Sequence, residues 1–161
     1  MNRALLPAFS AVVLLAACHA SKPAFNAARA VDTIRTGEVQ WNLDWKSGDA
    51  GKVTAHYAPE ATVMDPGQAP AKGVEAIRAE VQRAMDDPGF TLSFSSDKVD
   101  VAAAGDLAVA RGTFKLTATD PATKAVQPSA GTFVTVYRPR PDGSWKATWD
   151  IATLGPAPTS K

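Results

Sequence analysis

The sequence predicts an α+β fold in which three N-terminal helices pack on one face of a curved antiparallel sheet. Between residues 31 and 85, apolar side chains recur at spacings of three and four, the period of a helix that buries one face. From residue 91 onward they alternate with polar side chains, and the stretches are rich in Val, Thr, Phe and Trp. Helices followed by a run of long strands indicate helices layered on a sheet.

The first and third helices have the clearest helical period. The first is predicted from about Val31 to Ser47, and the third follows Gly73 and stops at Pro88-Gly89. The residues on their buried faces are Val31, Ile34, Glu38, Trp41 and Trp45 in the first, and Val74, Ile77, Val81 and Met85 in the third.

A short helix and a short strand are predicted between them. Asp49 is placed as the N-cap of the helix, which carries Val53 and Tyr57 and ends before Pro59. The strand covers Ala61–Asp65 and closes at the turn residues that follow. Four long strands then complete the predicted sheet: Thr91–Ala103, Leu107–Thr119, Gln127–Arg138 and Trp145–Leu154.

Residues 1–17 are predicted to be a secretory signal peptide. Arg3 gives a basic start, the stretch up to Ala17 is mostly apolar, and it is too short for a helix that spans a bilayer. Leu-Ala-Ala-Cys at 15–18 resembles the bacterial lipobox, which implies that Cys18 carries lipid. Cys18 has no second cysteine to pair with. The alternative is an ordinary signal peptide with an incidental cysteine.

The resemblance to a lipobox predicts how the chain is divided into segments and where the protein is located in the cell. Residues 18–30 are predicted to be a lipid-anchored tether, 31–154 the folded domain and 155–161 a tail. His19 follows the cysteine, where an inner-membrane retention signal has aspartate. The predicted location is therefore the outer membrane, facing the periplasm, with the lipid on Cys18 as the membrane contact.

The charge balance argues against nucleic-acid binding. From Cys18 onward the chain has 16 basic and 16 acidic side chains, because Arg3 is the only charged residue before it. A neutral surface has no basic patch to replace the counterions of a phosphate backbone. His56 is the only histidine in the predicted domain and is expected at the edge of the core, so no metal site and no cofactor are predicted.

Three segments carry a resemblance to a known superfamily: Gly48-Asp49, the run Tyr57-Ala-Pro-Glu-Ala-Thr-Val-Met-Asp-Pro66, and Gly73-Val-Glu-Ala-Ile77. They resemble the cone-shaped, cystatin-like domain of the nuclear transport factor two superfamily, within it the ketosteroid isomerases and the SnoaL-like proteins. The resemblance covers about Val31 to Leu154. This fold serves enzymes, binding proteins and inert adaptors alike, so it does not fix the function.

The resemblance assigns candidate catalytic residues. Asp65 matches the isomerase general base, which moves a proton on carbon next to a carbonyl group. Its other possible roles are to line the pocket without catalysis or to cap a turn before Pro66. On the last strand Thr148, Asp150 and Ala152 share one face, and by the family pattern that face looks into the cone. The oxyanion donors of the isomerases are replaced by Trp41 and Thr135, so a complete steroid isomerase is not expected.

Five residues are predicted to contact a ligand: Glu38, Trp41, Tyr57, Phe133 and Thr135. Glu38 lies on an apolar helix face, and its alternative role is a boundary residue bonded to the backbone or to an arginine such as Arg111. The opposite face of the sheet is also apolar, which predicts a homodimer. The residues assigned to that face are Trp145, Ala147, Trp149, Ile151, Val134 and Val136.

Three functions remain open. The first is a domain that binds a small, largely apolar molecule in its cone. The second is an isomerase or lyase that uses Asp65 as general base, and the third is a dimeric envelope interaction protein whose cone is filled by its own side chains. A pocket below ~300 Å³ would favour the third function, because ligand sites usually exceed that volume.

Overall fold

The computed structural model describes residues 25–156. The predicted signal peptide, Cys18, most of the tether and the end of the tail lie outside this range. Within these residues, three helices and six strands follow one another. The helices are α1 (Ala27–Ser47), α2 (Ala50–Thr54) and α3 (Val74–Met85); the strands are β1 (Tyr57–Met64), β2 (Ala71–Lys72), β3 (Thr91–Val101), β4 (Ala108–Thr119), β5 (Val126–Pro139) and β6 (Trp145–Leu154).

Helix α1 begins earlier than the apolar pattern predicts. The Asn26 side chain accepts a hydrogen bond from the Arg29 N–H at 2.9 Å and caps the first turn, so the helix includes the last residues of the predicted tether. It ends at Ser47 as predicted. Gly48 follows in the left-handed conformation, at φ 71°, and its N–H donates to the carbonyl of Trp45.

The second predicted helix is shorter than expected, and Tyr57 is not in it. The Asp49 carboxylate caps it as predicted, accepting from the N–H groups of Gly51 and Lys52. Helix α2 ends at Thr54, because Tyr57 pairs with Ala147 on β6 and starts strand β1 instead. Pro59 lies inside this strand, where a break in the pairing between Tyr57 and Thr62 requires no N–H from it.

The sheet has the strand order β2-β1-β6-β5-β4-β3. The four long strands β3 to β6 are antiparallel neighbours, as predicted. Strand β1 joins them through parallel pairing with β6, and the unpredicted β2 extends the edge beyond β1. This order places Val63 of β1 opposite Asp150 of β6 and Thr135 of β5 on the other side of Asp150.

A β-bulge at Thr148 corrects the predicted faces of β6. Val136 pairs with Trp149 but Tyr137 pairs with Ala147, so Thr148 is an extra residue that reverses the alternation. Ala147 is therefore fully buried in the core rather than on the outer face, and Trp145 packs against the same core. Thr148 donates its hydroxyl to the Val136 carbonyl instead of facing the cone. Trp149 keeps its predicted outward position and is 54% exposed.

One hydrophobic core joins α1 and α3 to the inner face of the sheet. Ile34 and Trp41 of α1, Ile77 of α3 and Tyr137 of β5 belong to the same buried cluster. Within residues 25–156, no helix is both long and apolar enough to cross a membrane. Because every layer contributes to this single core, the described segment is a self-contained folding unit.

Candidate functional site

A cavity of about 850 Å³ lies between the helices and the inner face of the sheet. Aromatic and aliphatic side chains form most of its wall, because alternate residues of β3 to β6 point to this side. Six of the seven predicted pocket residues line it: Trp41, Tyr57, Asp65, Phe133, Thr135 and Asp150. The other aromatic side chains of the wall are Trp45, Phe90, Phe94 and Phe114.

Asp150 is the centre of the polar part of the wall. The Tyr57 hydroxyl donates to its Oδ2 at 2.9 Å, and the Thr135 hydroxyl donates to its Oδ1 at 2.9 Å. Removal from water raises the pKa of Asp150 to about 6. The two hydrogen bonds oppose this rise, and the nearby negative charges of Asp65 and Glu38 add to it.

Asp65 lies one residue beyond the end of β1 and on the same side of the sheet as Asp150. Within residues 25–156, no hydrogen bond reaches its carboxylate. Only its backbone carbonyl takes part in the turn, accepting from the Gln68 N–H at 3.2 Å. The side chain therefore lines the cavity and does not cap the turn. Burial raises the pKa of Asp65 above its ordinary value.

Trp41 forms a buried part of the wall and is 3% exposed. Its indole stacks on His56 with ring centres 5.0 Å apart, and the edges of Tyr57 and Phe94 meet it at near right angles. In the part of the chain that the structure describes, the Trp41 Nε1–H has no acceptor. A buried donor without a partner is rare and costly unless a bound molecule satisfies it.

His56 supports Trp41 from behind, consistent with the predicted place at the edge of the core. Its Nε2 lies 2.7 Å from Oδ2 of Asp44, and Asp44 also accepts from the Gln40 amide at 2.8 Å. Burial lowers the pKa of His56, and the contact with Asp44 opposes this shift. Among residues 25–156, no group of three His, Cys, Asp or Glu side chains could hold a metal ion.

Glu38 does not line the cavity, so the structure gives no support to its predicted ligand contact. Its Oε1 accepts from the Ser96 hydroxyl at 2.7 Å and from the Tyr137 hydroxyl at 3.1 Å, behind the wall. Arg111, named as a possible partner, instead pairs with Asp97 at 2.9 Å. Burial raises the pKa of Glu38, and the two hydroxyl groups partly offset this.

Three charged residues of the wall were missed by sequence reasoning: Glu80 and Arg83 on α3, and Asp87 just after it. Their spacing places them beside the buried Ile77 and Val81. This position indicates a pocket residue only when the cavity is already known. The Asp87 side chain is already hydrogen-bonded within the protein. Its carboxylate accepts from the Thr119 hydroxyl and from the N–H groups of Thr119 and Gly89, and these bonds lower the pKa of Asp87.

The family model of the SnoaL-like domain matches residues 39–148, which is more than half of the chain. The chain belongs to the SnoaL-like family. The matched segment of this SnoaL-like protein runs from α1 to the bulge of β6 and includes Trp41, Tyr57, Asp65, Phe133 and Thr135. None of the curated proteins compared with the chain matches it.

Solved structures agree with this assignment and confirm the nuclear transport factor two-like fold. A ketosteroid isomerase-like protein from Erwinia carotovora atroseptica has a TM-score of 0.69 at 23% identity, over 81% of this chain and 98% of that one. A nuclear transport factor two-like superfamily protein from Salmonella enterica has a TM-score of 0.66 at 19% identity, over 83% and 95%. A protein with a cystatin-like fold from Novosphingobium aromaticivorans has a TM-score of 0.62 at 21% identity, over 82% and 89%.

Proposed function

We propose that this SnoaL-like domain binds a small, largely apolar molecule in its cavity. The observation that carries the proposal is a cavity of about 850 Å³ whose mainly apolar wall contains one convergent polar cluster, Asp150 with Tyr57 and Thr135. Ligand sites in proteins typically measure ~300–1,000 Å³ and combine apolar walls with a few fixed polar groups. A cone filled by its own side chains, as in an interaction protein, would not have this volume.

A bulky residue in the wall is expected to block binding. We predict that Nile red, a neutral apolar dye, binds saturably to the soluble form that begins at Ser21, and that Ala152→Trp weakens this binding at least tenfold. Ala152 lines the cavity, and Thr153 is exposed on the opposite face of β6, so Thr153→Trp is the matched control. Fluorescence titration measures both. Equal affinity in the two variants would place the dye outside the cavity.

The second candidate function is proton transfer, with Asp65 as general base. The observation in its favour is a cavity-facing carboxylate with a raised pKa and no hydrogen-bond partner in the described segment, beside Asp150 with a pKa of about 6. A rise in the pKa of a carboxyl group moves it toward the range that suits a base near neutral pH. Asp65→Asn is expected to retain binding of a substrate and to abolish its turnover. Turnover by Asp65→Asn at the wild-type rate would refute the role.

We further propose that two copies pair through the outer face of the sheet. Trp149 is 54% exposed and Val134 is 38% exposed, and both lie on that face, although the bulge removes Trp145 and Ala147 from it. Exposed apolar side chains on neighbouring strands favour association. Sedimentation velocity at tens of micromolar is expected to show a dimer that Trp149→Lys converts to a monomer. A monomer before substitution would contradict the proposal.

The proposed location rests on the N-terminal sequence. We propose that Cys18 is acylated and that the protein is held in the outer membrane, facing the periplasm. When the full chain is produced in a Gram-negative bacterium fed with an alkyne fatty acid, it is expected to take up the label, and Cys18→Ser is expected to lose it completely. An unlabelled wild-type chain in the same gel would contradict the lipid anchor.

A further inference from the structure

The cavity wall has more negatively charged than positively charged side chains. Four carboxylates contribute to it, from Asp65, Glu80, Asp87 and Asp150, and among the described residues of the wall Arg83 is the one cation. They belong to different elements, so they face the same space from β1, from β6 and from α3. The polar part of the wall therefore holds more carboxylates than cations.

Three of the four carboxylates keep free acceptor capacity. Asp87 is occupied by Gly89 and Thr119. No hydrogen bond within the described segment reaches the carboxylates of Asp65 and Glu80, and each oxygen of Asp150 receives only one. Nor does Arg83 form an ion pair with any carboxylate in this segment. The charge of Arg83 acts on Glu80 from beyond ion-pair distance and offsets part of the negative charge of the wall. The carboxylates that remain attract a cation more strongly inside the cavity than they would in water.

The rest of the wall also favours a cation with an apolar body. Aromatic faces attract ammonium groups through the ring quadrupole, and tryptophan does so best. Trp41 and Trp45 from α1 line the cavity together with Phe94 and Phe133 from the sheet.

We propose that the ligand of this cavity is an organic cation: an apolar ring or chain that carries a protonated amine or quaternary ammonium group. The ammonium group lies among Asp65, Glu80 and Asp150, and the apolar body lies against the aromatic wall. This inference rests on the proposed function, because it names the chemical class of the molecule that the same cavity binds.

Three probes with one apolar body test the sign of charge. Isothermal titration calorimetry of the soluble form with 2-naphthylmethylammonium, 2-naphthylmethanol and 2-naphthoate is expected to give affinities that fall in this order, with at least a tenfold gap between the ammonium ion and the alcohol. The anion is expected to bind most weakly, because the wall repels it. Binding of the alcohol or the carboxylate as tightly as the ammonium ion overturns the inference.

Variants link the preference to the wall. Asp65→Asn and Asp150→Asn are each expected to weaken ammonium binding at least threefold more than alcohol binding, whereas Asp100→Asn, on an exposed part of β3, leaves the ratio unchanged. If the ratio of ammonium affinity to alcohol affinity is the same in all three variants, the inference is overturned. The proposed function is tested apart from it by Nile red: if the dye binds and the ammonium ion does not, only the charge assignment fails, and if neither binds, both fail.

Discussion

Asp150→Asn is expected to stabilise the domain near pH 7 by about 2 kcal/mol, because each pKa unit between folded and unfolded states corresponds to ~1.4 kcal/mol. The folded environment raises the pKa of Asp150 from 3.8 to about 6, so ionisation at neutral pH opposes folding. Asparagine removes the charge and can still accept from the hydroxyl of Tyr57 or Thr135. The gain is therefore somewhat smaller than the full pKa difference implies.

The pH dependence identifies the cause. Between about pH 4 and pH 6 the folded state binds the Asp150 proton more tightly than the unfolded state does, so its contribution makes the wild type less stable as pH rises. Urea unfolding near pH 4 and near pH 7 is expected to show that Asp150→Asn loses this decline. If Asp150→Asn were less stable than the wild type by the same amount at both pH values, ionisation of Asp150 would not oppose folding.

Asp44→Asn is the matched control with the opposite sign. The hydrogen bond with His56 lowers the pKa of Asp44, so its ionised form stabilises the fold above the ordinary value of 3.8 and loses this effect as pH falls through the lower folded value. The variant is expected to be less stable than the wild type near pH 7. A stabilised Asp44→Asn would mean that the charge change itself, and not the site, governs the result.

Gly131→Ala is expected to destabilise the domain by about 3 kcal/mol, the upper end of the usual cost of overpacking. A Cβ at Gly131 would lie 2.1 Å from the Thr153 carbonyl oxygen and 2.7 Å from Cε1 of Phe114. Neither neighbour can move away freely. The Thr153 oxygen belongs to the backbone of β6, and the Phe114 ring packs on the core side of the sheet. The free energy of urea unfolding measures this loss.

Gly37→Ala provides the control for the same change of residue. Gly37 lies within α1, and a Cβ there would meet nothing within 4 Å. Alanine in a helix interior is favoured over glycine by ~0.5–1 kcal/mol, so this variant is expected to be slightly more stable than the wild type. Similar unfolding free energies for Gly131→Ala and Gly37→Ala would contradict the close packing of β5 against β6.

Local signals in the sequence were reliable where one residue determines a local structure. The Asp49 cap, the end of α1 at Ser47 and the four long strands were predicted from such signals. Tyr57 was misplaced because its helical spacing to Val53 is a weak signal, which pairing with Ala147 on a distant strand overrides. The Thr148 bulge has no signature in the alternation itself, so Trp145, Ala147 and Thr148 of β6 were assigned to the wrong face.

The site was predictable only in part, for the same reason. Asp65 came from a local motif and Asp150 from strand parity, and both line the cavity. Their closeness depends on the parallel register of β1 and β6, which joins residues far apart in the chain. The partners of Glu38 could not be predicted, because Ser96 and Tyr137 come from two other strands. Glu80 was missed because one charged residue on a helix is usually solvated.

The central claim, that the cavity holds a small molecule, is tested most directly by native mass spectrometry of the protein purified gently from its own host. We expect the wild-type chain to carry a small molecule that denaturing conditions release, and Ala152→Trp purified in parallel to lack it. Thr153→Trp should retain the molecule. All three proteins are produced in the form that begins at Ser21, which lacks Cys18. A wild-type protein found only at the mass of its polypeptide, with no added small molecule, would contradict the claim.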